Sequence, residues 1–321
     1  MKHVLRFALV AIVAFAALCF FNNTNLFSDA TPGRPVLLAH RGLAQTFDVA
    51  GVENDTCTAS RIHAPEHPYL ENTIDSMRAA FAAGADIVEF DIHPTTDGNF
   101  AVFHDWTLDC RTDGKGVTRE RTLTELQKLD VGHGYTADGK TFPFRGKGVT
   151  MPSLDEVLTA FPGKGFLIHI KSNDPAEGEK LSSRLRTLAP EARASLAVYG
   201  GRLPVAVVRE RVPDIHTMSA RAELRCLLTY LALGWSGYVP RSCAQMLILV
   251  PRNYAPWLWG WPDKFIARMR GVNSAVFVLG PRGGEEFSTG IDTAEEFAQV
   301  PRRAGLGIWT NRVDRIAPLA R

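Results

Sequence analysis

Apolar and polar positions along the chain fall into short runs that switch between two periods. Runs of four to six residues rich in β-branched and aromatic side chains recur at Val36–Ala39, Ile87–Ile92, Phe100–Phe103, Phe166–Lys171, Ser195–Val198, Ile215–Met218, Met246–Val250, Ala275–Leu279 and Gly307–Thr310. Segments with helical spacing lie between them. Ile74, Met77 and Phe81 stand at i, i+3 and i+7, with Asn72-Thr73 capping the segment and Gly84 stopping it. Thr122 with Glu125, and Ser153 with Glu156, read as capping boxes, the second opening a helix with Leu154, Val157, Leu158 and Phe161 on one face. Strands alternating with helices predict a parallel α/β fold, and nine candidates serve a closed barrel that needs eight. The stretch from Asp91 to Phe100 carries no helix, yet nine extended steps of ~3.3 Å reach back across a barrel, so parallel order is expected there too. Residues 105–152, rich in Gly and charge, read as a long loop excursion after the third strand, over one end of the barrel. No repeat, low-complexity tract or linker divides residues 31–321, which predicts a single domain.

The N-terminus changes the picture of where the barrel resides. Lys2, His3 and Arg6 precede the uncharged run Phe7–Phe21, followed by Asn22-Asn23-Thr24-Asn25. Residues 1–30 read as a secretory signal peptide with a small-residue cleavage site at Ser28-Asp29-Ala30. An uncleaved anchor stays open, because the run extends toward residue 4 if Arg6 snorkels. Either way the rest of the chain is expected to be exported, periplasmic or secreted, with a membrane tether through residues 4–21 in the second case. Beyond Cys19 there are four cysteines, an even number that invites pairing in an oxidising compartment. The expected pairs are Cys57–Cys110 and Cys226–Cys243, against the alternative of four buried free thiols. With 36 Lys+Arg against 34 Asp+Glu, and no cationic run, the chain has no field for gathering nucleic acid. Nothing in it implies a protein partner.

The candidate chemistry stands at strand ends. Alternation puts Glu89, Asp91 and His93 on one face and Val88, Phe90 and Ile92 on the other. Two acids at i and i+2 on an otherwise apolar strand are costly unless a cation holds them, and paired carboxylates suit a hard divalent ion. The alternative is two solvated charges on an edge strand. Leu167, His169 and Lys171 share a face in the same way, and His40-Arg41-Gly42 and His104-Asp105 end two further strands. Four strand ends thus offer imidazoles, a carboxylate pair and a lysine where barrels place their chemistry.

These residues also form an ordered set of motifs: His40-Arg41-Gly42, Glu71-Asn72-Thr73, Gly84-Ala85-Asp86, Glu89-Phe90-Asp91, Thr95, Asp97-Gly98, His104-Asp105, Leu108, Arg111-Thr112, Gly114 and Gly116. Pro152 to Leu158, Ile170-Lys171 and Trp309-Thr310 follow. In this the chain resembles the glycerophosphodiester phosphodiesterase family, related to the phosphatidylinositol-specific phospholipase C barrels, densely over residues 36–171 and thinly beyond. The resemblance implies a TIM barrel that uses a divalent metal, Mg²⁺ or Ca²⁺, to hydrolyse small-molecule glycerophosphodiesters to glycerol 3-phosphate and an alcohol. It implies His40 and His104 as the general acid/base pair, Glu89 and Asp91 as metal ligands, and Arg41 and Lys171 as phosphate-holding groups. Trp309 would line the apolar side of the pocket, Glu71 would lie beside the metal or the histidines, and Asn72 would cap its helix. The family's route makes the substrate's own glycerol hydroxyl the first nucleophile, through a cyclic phosphate that water opens.

Two departures qualify the resemblance. The family has Glu two residues before the lysine of the fourth strand, as a third metal ligand, where this chain has His169. An imidazole there predicts a relative shift toward Mn²⁺ or Zn²⁺; alternatively His93, Glu71 or water completes the sphere. The 28 residues between Gly42 and Glu71 are an insertion carrying Cys57, His63 and His67, expected at the active-site rim. His63, His67, His133 and His216 read as surface or core histidines. Trp257, Trp261 and Phe265 fall at helical spacing, so core packing is preferred over lipid contact for the Tyr254–Pro262 segment. Two rival readings remain: a sphingomyelinase-D-like lyase, and an envelope protein that binds a phosphodiester without cleaving it.

Overall fold

A computed structural model describes residues 2–28, 32–53, 55–283 and 289–321. The nine strands are β1 (Val36–Ala39), β2 (Ile87–Pro94), β3 (Phe100–Val102), β4 (Gly165–Ile170), β5 (Leu196–Gly200), β6 (His216–Met218), β7 (Leu247–Pro251), β8 (Ala275–Leu279) and β9 (Leu306–Thr310). Eight of them run in the order β6-β5-β4-β2-β1-β9-β8-β7, all parallel. A single parallel bridge from Thr217 to Met246 closes the ring. The ninth is β3, which pairs antiparallel with β2, His93 opposite Ala101. The expectation of parallel order there was wrong: Thr95–Asn99 makes a tight reversal, with Thr95 and Asn99 hydrogen-bonded across it. A hairpin satisfies the strand edges locally, so the chain has no need to cross the barrel.

Alternation divides the core in two. Leu38, Leu167, Met218, Leu247, Leu249, Phe277 and Trp309 fill the barrel interior, while residues such as Phe90, Ile168, Val198 and Ile308 face the helices. Gly307 is required in the interior layer, because a Cβ there would stand 2.1 Å from the Phe277 ring.

The seam between β6 and β7 is thin. Met246 O accepts from Ala275 N, so even-numbered residues of β7 bond β8 and odd ones face β6. β6 is too short to reach Leu249, whose N–H donates instead to Glu223 on the helix Ala220–Leu233.

The helix Ile74–Ala83 has Thr73 as its N-cap and Gly84 as its C-cap. Asn72 therefore does not cap it, and its side chain is engaged elsewhere. Both other capping boxes form, at Thr122 and Ser153. The insertion and the excursion after β3 pack on each other, with Ala59, Ile62, Leu70, Tyr135 and Phe144 in one small core. Both expected disulfides, Cys57–Cys110 and Cys226–Cys243, are present.

Trp261 packs on Phe265 with ring centroids 5.9 Å apart, as the spacing predicts. Trp257 does not join them; it is 77% exposed. The helix starts only at Asp263, and Ala255–Trp257 is a separate turn, so helical spacing does not extend back to Trp257. The N-terminal run forms one helix, Lys2–Asn23. Of the expected cleavage site, Asp29 and Ala30 lie outside the described residues.

Candidate active site

Strand alternation delivers the site. The face that carries Leu38 and Leu167 inside the barrel carries His40, His169 and Lys171 at the C-terminal strand ends, where Glu89 and Asp91 of β2 meet them. In register, Glu89 stands beside Leu167 and Asp91 beside His169. Both carboxylates are fully buried.

Their contacts are all electropositive or hydrogen-bonding. Glu89 Oε2 accepts from the Arg41 backbone N–H at 3.0 Å, and Oε1 accepts from the Tyr199 hydroxyl at 2.7 Å. Asp91 Oδ1 accepts from His169 Nδ1 at 2.7 Å and lies 3.5 Å from Lys171 Nζ. Asp91 is also held by Asn72, whose Nδ2 donates to Oδ2 and whose Oδ1 accepts from the Asp91 N–H, both at 3.0 Å. The φ of 59° at Asn72 and 58° at Arg41 turns these groups inward, a conformation Asn tolerates and Arg adopts at a cost. Gly42 completes the turn with φ 81°; a Cβ there would meet Ser76 Oγ at 2.5 Å.

Burial and the neighbouring Asp91 charge push the Glu89 carboxyl well up from its ordinary value. Burial acts on Asp91 too, but Lys171 and Arg41 outweigh it and hold that carboxyl down. Two buried acids that cannot comfortably both ionise leave a place for a further cation. Burial lowers the His169 pKa, which favours the neutral, ligating imidazole. Ligand atoms of Glu89, Asp91 and His169 lie within 4.8 Å of one another, and His169 is fixed by stacking on Tyr199, centroids 4.1 Å apart. This donor set fits a divalent ion. Glu71 is not part of it: its two oxygens are taken by Arg41 Nη1 at 3.0 Å and Arg111 Nη1 at 3.2 Å. His93 is also elsewhere, donating to the His104 carbonyl at 3.2 Å.

The two strand-end histidines have unlike partners. His40 Nε2 is 3.7 Å from Glu89 Oε2, and its Nδ1 donates to Asn311 Oδ1 at 2.7 Å. Asn311 in turn donates Nδ2 to Asp292 at 2.8 Å, which sets the amide's orientation. His104 Nδ1 donates to the carboxylate of Asp105 at 2.6 Å, and Asp105 accepts from Arg111 Nε at 2.8 Å. Burial and then Arg41 lower both imidazoles, His104 to about 4; Asn311 and Asp91 oppose this at His40, Asp91 and Asp105 at His104. Arg41 Nε is buried without a hydrogen-bond partner, 3.3 Å from Asp91. Trp309 lies beside His40, ring centroids 4.9 Å apart.

A cavity of about 300 Å³ opens next to His40, lined by Arg41, Phe47, His63, Asp292 and Arg312 among others. The insertion thus does reach the site rim, and His63, read from sequence as surface or core, is on its wall. Tyr199, Asn311 and Asp292 were not anticipated. Tyr199 had one available signal: it continues the Ala197 alternation one residue beyond the expected end of its strand.

Residues 40–197 match the profile of the Glycerophosphoryl diester phosphodiesterase family. A glycerophosphodiester phosphodiesterase of Caldanaerobacter subterraneus subsp. tengcongensis is 34% identical over 134 residues, which cover 40% of this chain and 52% of that one. The chain spans about half the length of the curated relatives it matches. The crystal structure of a glycerophosphodiester phosphodiesterase from Agrobacterium tumefaciens superposes with a TM-score of 0.58 at 20% identity, covering 89% of this chain and 98% of that one. An Oleispira antarctica phosphodiesterase, solved in complex with the product sn-glycerol-3-phosphate, does so with 0.54 at 18% identity, covering 89% and 96%. These structures share the fold.

Proposed function

Because this chain belongs to the glycerophosphoryl diester phosphodiesterase family, we propose that it hydrolyses glycerophosphodiesters to glycerol 3-phosphate and an alcohol with a divalent ion held by Glu89, Asp91 and His169. The observation that carries this is the convergence of two buried carboxylates and a neutral imidazole beside a second imidazole, His40. When bound, the ion supplies positive charge against the phosphate oxygens as the phosphorus becomes crowded. Arg41 and Lys171 add to that charge, and Arg41 Nε, ion-paired with Asp91 but not hydrogen-bonded, has a donor to offer a phosphate oxygen.

Unlike partners assign unlike proton roles. Asn311 accepts from His40 Nδ1 and so leaves Nε2 as the basic nitrogen, facing the site. With a neutral amide as partner, His40 suits the general base, taking the proton of the glycerol hydroxyl as that oxygen attacks phosphorus. Asp105 is an anionic partner that pulls His104 back toward the protonated form against burial and Arg41, which suits the general acid that protonates the departing alcohol. The phosphodiester's own charge adds to that pull. Water then opens the cyclic phosphate with the two roles exchanged. Trp309 packs beside His40 as the apolar wall. Glu71, between Arg41 and Arg111, orients cations and does not ligate the ion.

His169 in place of a carboxylate moves the preference toward Mn²⁺ or Zn²⁺ relative to Mg²⁺ or Ca²⁺. Two disulfides suit an oxidising compartment, which supports export of the barrel, residues 31–321. The test is release of glycerol 3-phosphate from glycerophosphocholine and glycerophosphoethanolamine with each of the four ions. Release abolished in His40→Ala and His104→Ala supports the reading. A cyclic phosphate as the final product assigns the lyase reaction instead, and no product with any ion rejects hydrolysis.

A further inference from the structure

The flank of the barrel at the β6–β7 seam is apolar and open. On the helix Ala220–Leu233, Leu224, Leu228 and Leu231 stand at i, i+4 and i+7, exposed by 57%, 56% and 38%. The acid of that helix, Glu223, is turned into the seam, while Arg221 and Arg225, on either side of Leu224, are exposed. Trp259 extends the face, its Nε1 donating to Leu231 O at 2.8 Å, and Trp257 and Tyr238 are exposed as well. An amphipathic helix with leucines and arginines, fringed by Trp and Tyr, has the composition of a surface that lies in a lipid interface.

What covers this face is indicated by the N-terminal helix, which is fastened beside it, at Trp235 and the helix Asp263–Gly271. His3–Asn23 is 21 residues with a mean hydropathy of 2.6, long and apolar enough to cross a bilayer. A signal sequence has the same character, but here the helix end is clamped. Asn22 and Asn23 each donate to Trp235 O, at 2.9 and 2.8 Å. Lys264 and Arg268 donate to the helix's last carbonyls, Phe21 O and Asn22 O, at 2.7 and 2.8 Å. Phe15 packs on Trp235 with centroids 4.9 Å apart. Two cations at the C-terminal end also match the helix dipole. A spanning helix held this way brings the leucine and tryptophan face to the membrane surface.

We propose that the full chain keeps its N-terminal helix as an anchor and rests the Leu224–Leu231 face, with Trp257 and Trp259, on the bilayer. The anchor alone would tether the barrel; the second contact fixes its orientation. This inference is independent of the hydrolytic reading.

The N-terminal helix contains no tryptophan, but Trp235 packs on it, so the face is reported by the part of the quenching that depends on Trp257 and Trp259. The full-length protein is reconstituted in vesicles of phosphatidylcholine and phosphatidylglycerol, with acyl chains brominated or not. Bromination is expected to quench a large part of the emission, and Trp257→Phe with Trp259→Phe to lose most of that quenching. Leu228→Glu with Leu231→Glu, both at exposed positions, is expected to do the same while the protein still floats with the vesicles and melts at the wild-type temperature. Emission indifferent to bromination, or quenching unchanged in both double variants, overturns the proposal. So does loss of the face's exposure to a concentration-dependent dimer, which would assign it to a second copy of the chain.

Discussion

Asn311 turns its amide oxygen to His40 Nδ1 at 2.7 Å because Asp292 holds the other end of the amide at 2.8 Å. The pair lies at opposite ends of the barrel chain, one after β1 and one after β9, and the parallel pairing of those strands brings them together. If this contact sets the His40 tautomer, Asn311→Ala should lower kcat by roughly 10–100-fold and leave KM nearly unchanged. Asp292→Asn, which keeps the shape but frees the amide to turn over, should show the same split with a smaller loss. An equal rise in KM in both variants would place Asn311 in substrate binding instead.

Arg111 links the insertion to the proposed acid. Its Nε donates to Asp105, its Nη1 donates to Tyr135 and its Nη2 donates to Thr58. It is 1% exposed, so Arg111→Ala removes the buried cation that Asp105 and Glu71 share, leaving His104 and Arg41 as their remaining partners. A loss of about 3–5 kcal/mol is expected, read as a fall in the denaturant midpoint. Arg111→Lys should recover part of the stability but little of kcat, since an ammonium cannot serve three directions at once.

Thr58 and Arg111 each adjoin a half-cystine, so the Cys57–Cys110 bond bears on the same group. It closes a 53-residue separation against 17 for Cys226–Cys243. Chain-entropy arguments give ~4 kcal/mol for the first and ~3 kcal/mol for the second. Replacing either pair by serine should therefore destabilise by similar amounts, whereas only Cys57→Ser with Cys110→Ser should also depress kcat at temperatures where the barrel stays folded. Equal activity in both double variants would separate the insertion from catalysis.

How much of this was legible depends on whether a feature is local. Glu89, Asp91, His169 and Lys171 could be found because strand alternation fixes a side chain's face from its neighbours alone. The capping boxes and the stop at Gly84 are local for the same reason. Asn72 looked like a cap because Asn is a good one. Its actual work is holding Asp91, which lies 19 residues away in sequence, and no spacing rule reports that. The β3 hairpin was missed because nine extended residues can span a barrel or turn back; hydrogen-bond satisfaction decides between them, and alternation does not. Asn311 and Asp292 carry no pattern of their own, and they matter only through a contact with His40 that the closed barrel creates.

His169 offers a direct test of the ion's preference. His169→Glu restores a third carboxylate beside two that already strain to ionise together, so without metal the variant should be less stable than the wild type. With metal the order reverses for hard ions: binding of Mg²⁺ or Ca²⁺, measured by calorimetry, should tighten relative to Mn²⁺ or Zn²⁺. Unchanged ratios among the four ions would remove His169 from the ligand set. Tyr199→Phe should weaken binding of all four modestly, since the ring still stacks on His169 but the hydroxyl no longer orients Glu89.

The seam residue Glu223 should make stability depend on pH. Burial pushes its carboxyl up to about 7, against the pull of the Leu249 N–H. A carboxyl that is harder to ionise in the folded chain than in the unfolded one, where it titrates near 4.5, binds more protons when folded between those two values. Stability must then fall as pH rises through that window. The loss should be complete once pH exceeds about 7, and absent below about 4.5. Glu223→Gln keeps an oxygen for the Leu249 N–H and has no charge to bury. It should match the wild type near pH 4 and exceed it at pH 8 by on the order of 3 kcal/mol. The difference between the two proteins isolates this one group from the rest of the titration. A constant difference across the range would show that the carboxylate reaches solvent at the seam and that the ring is open there.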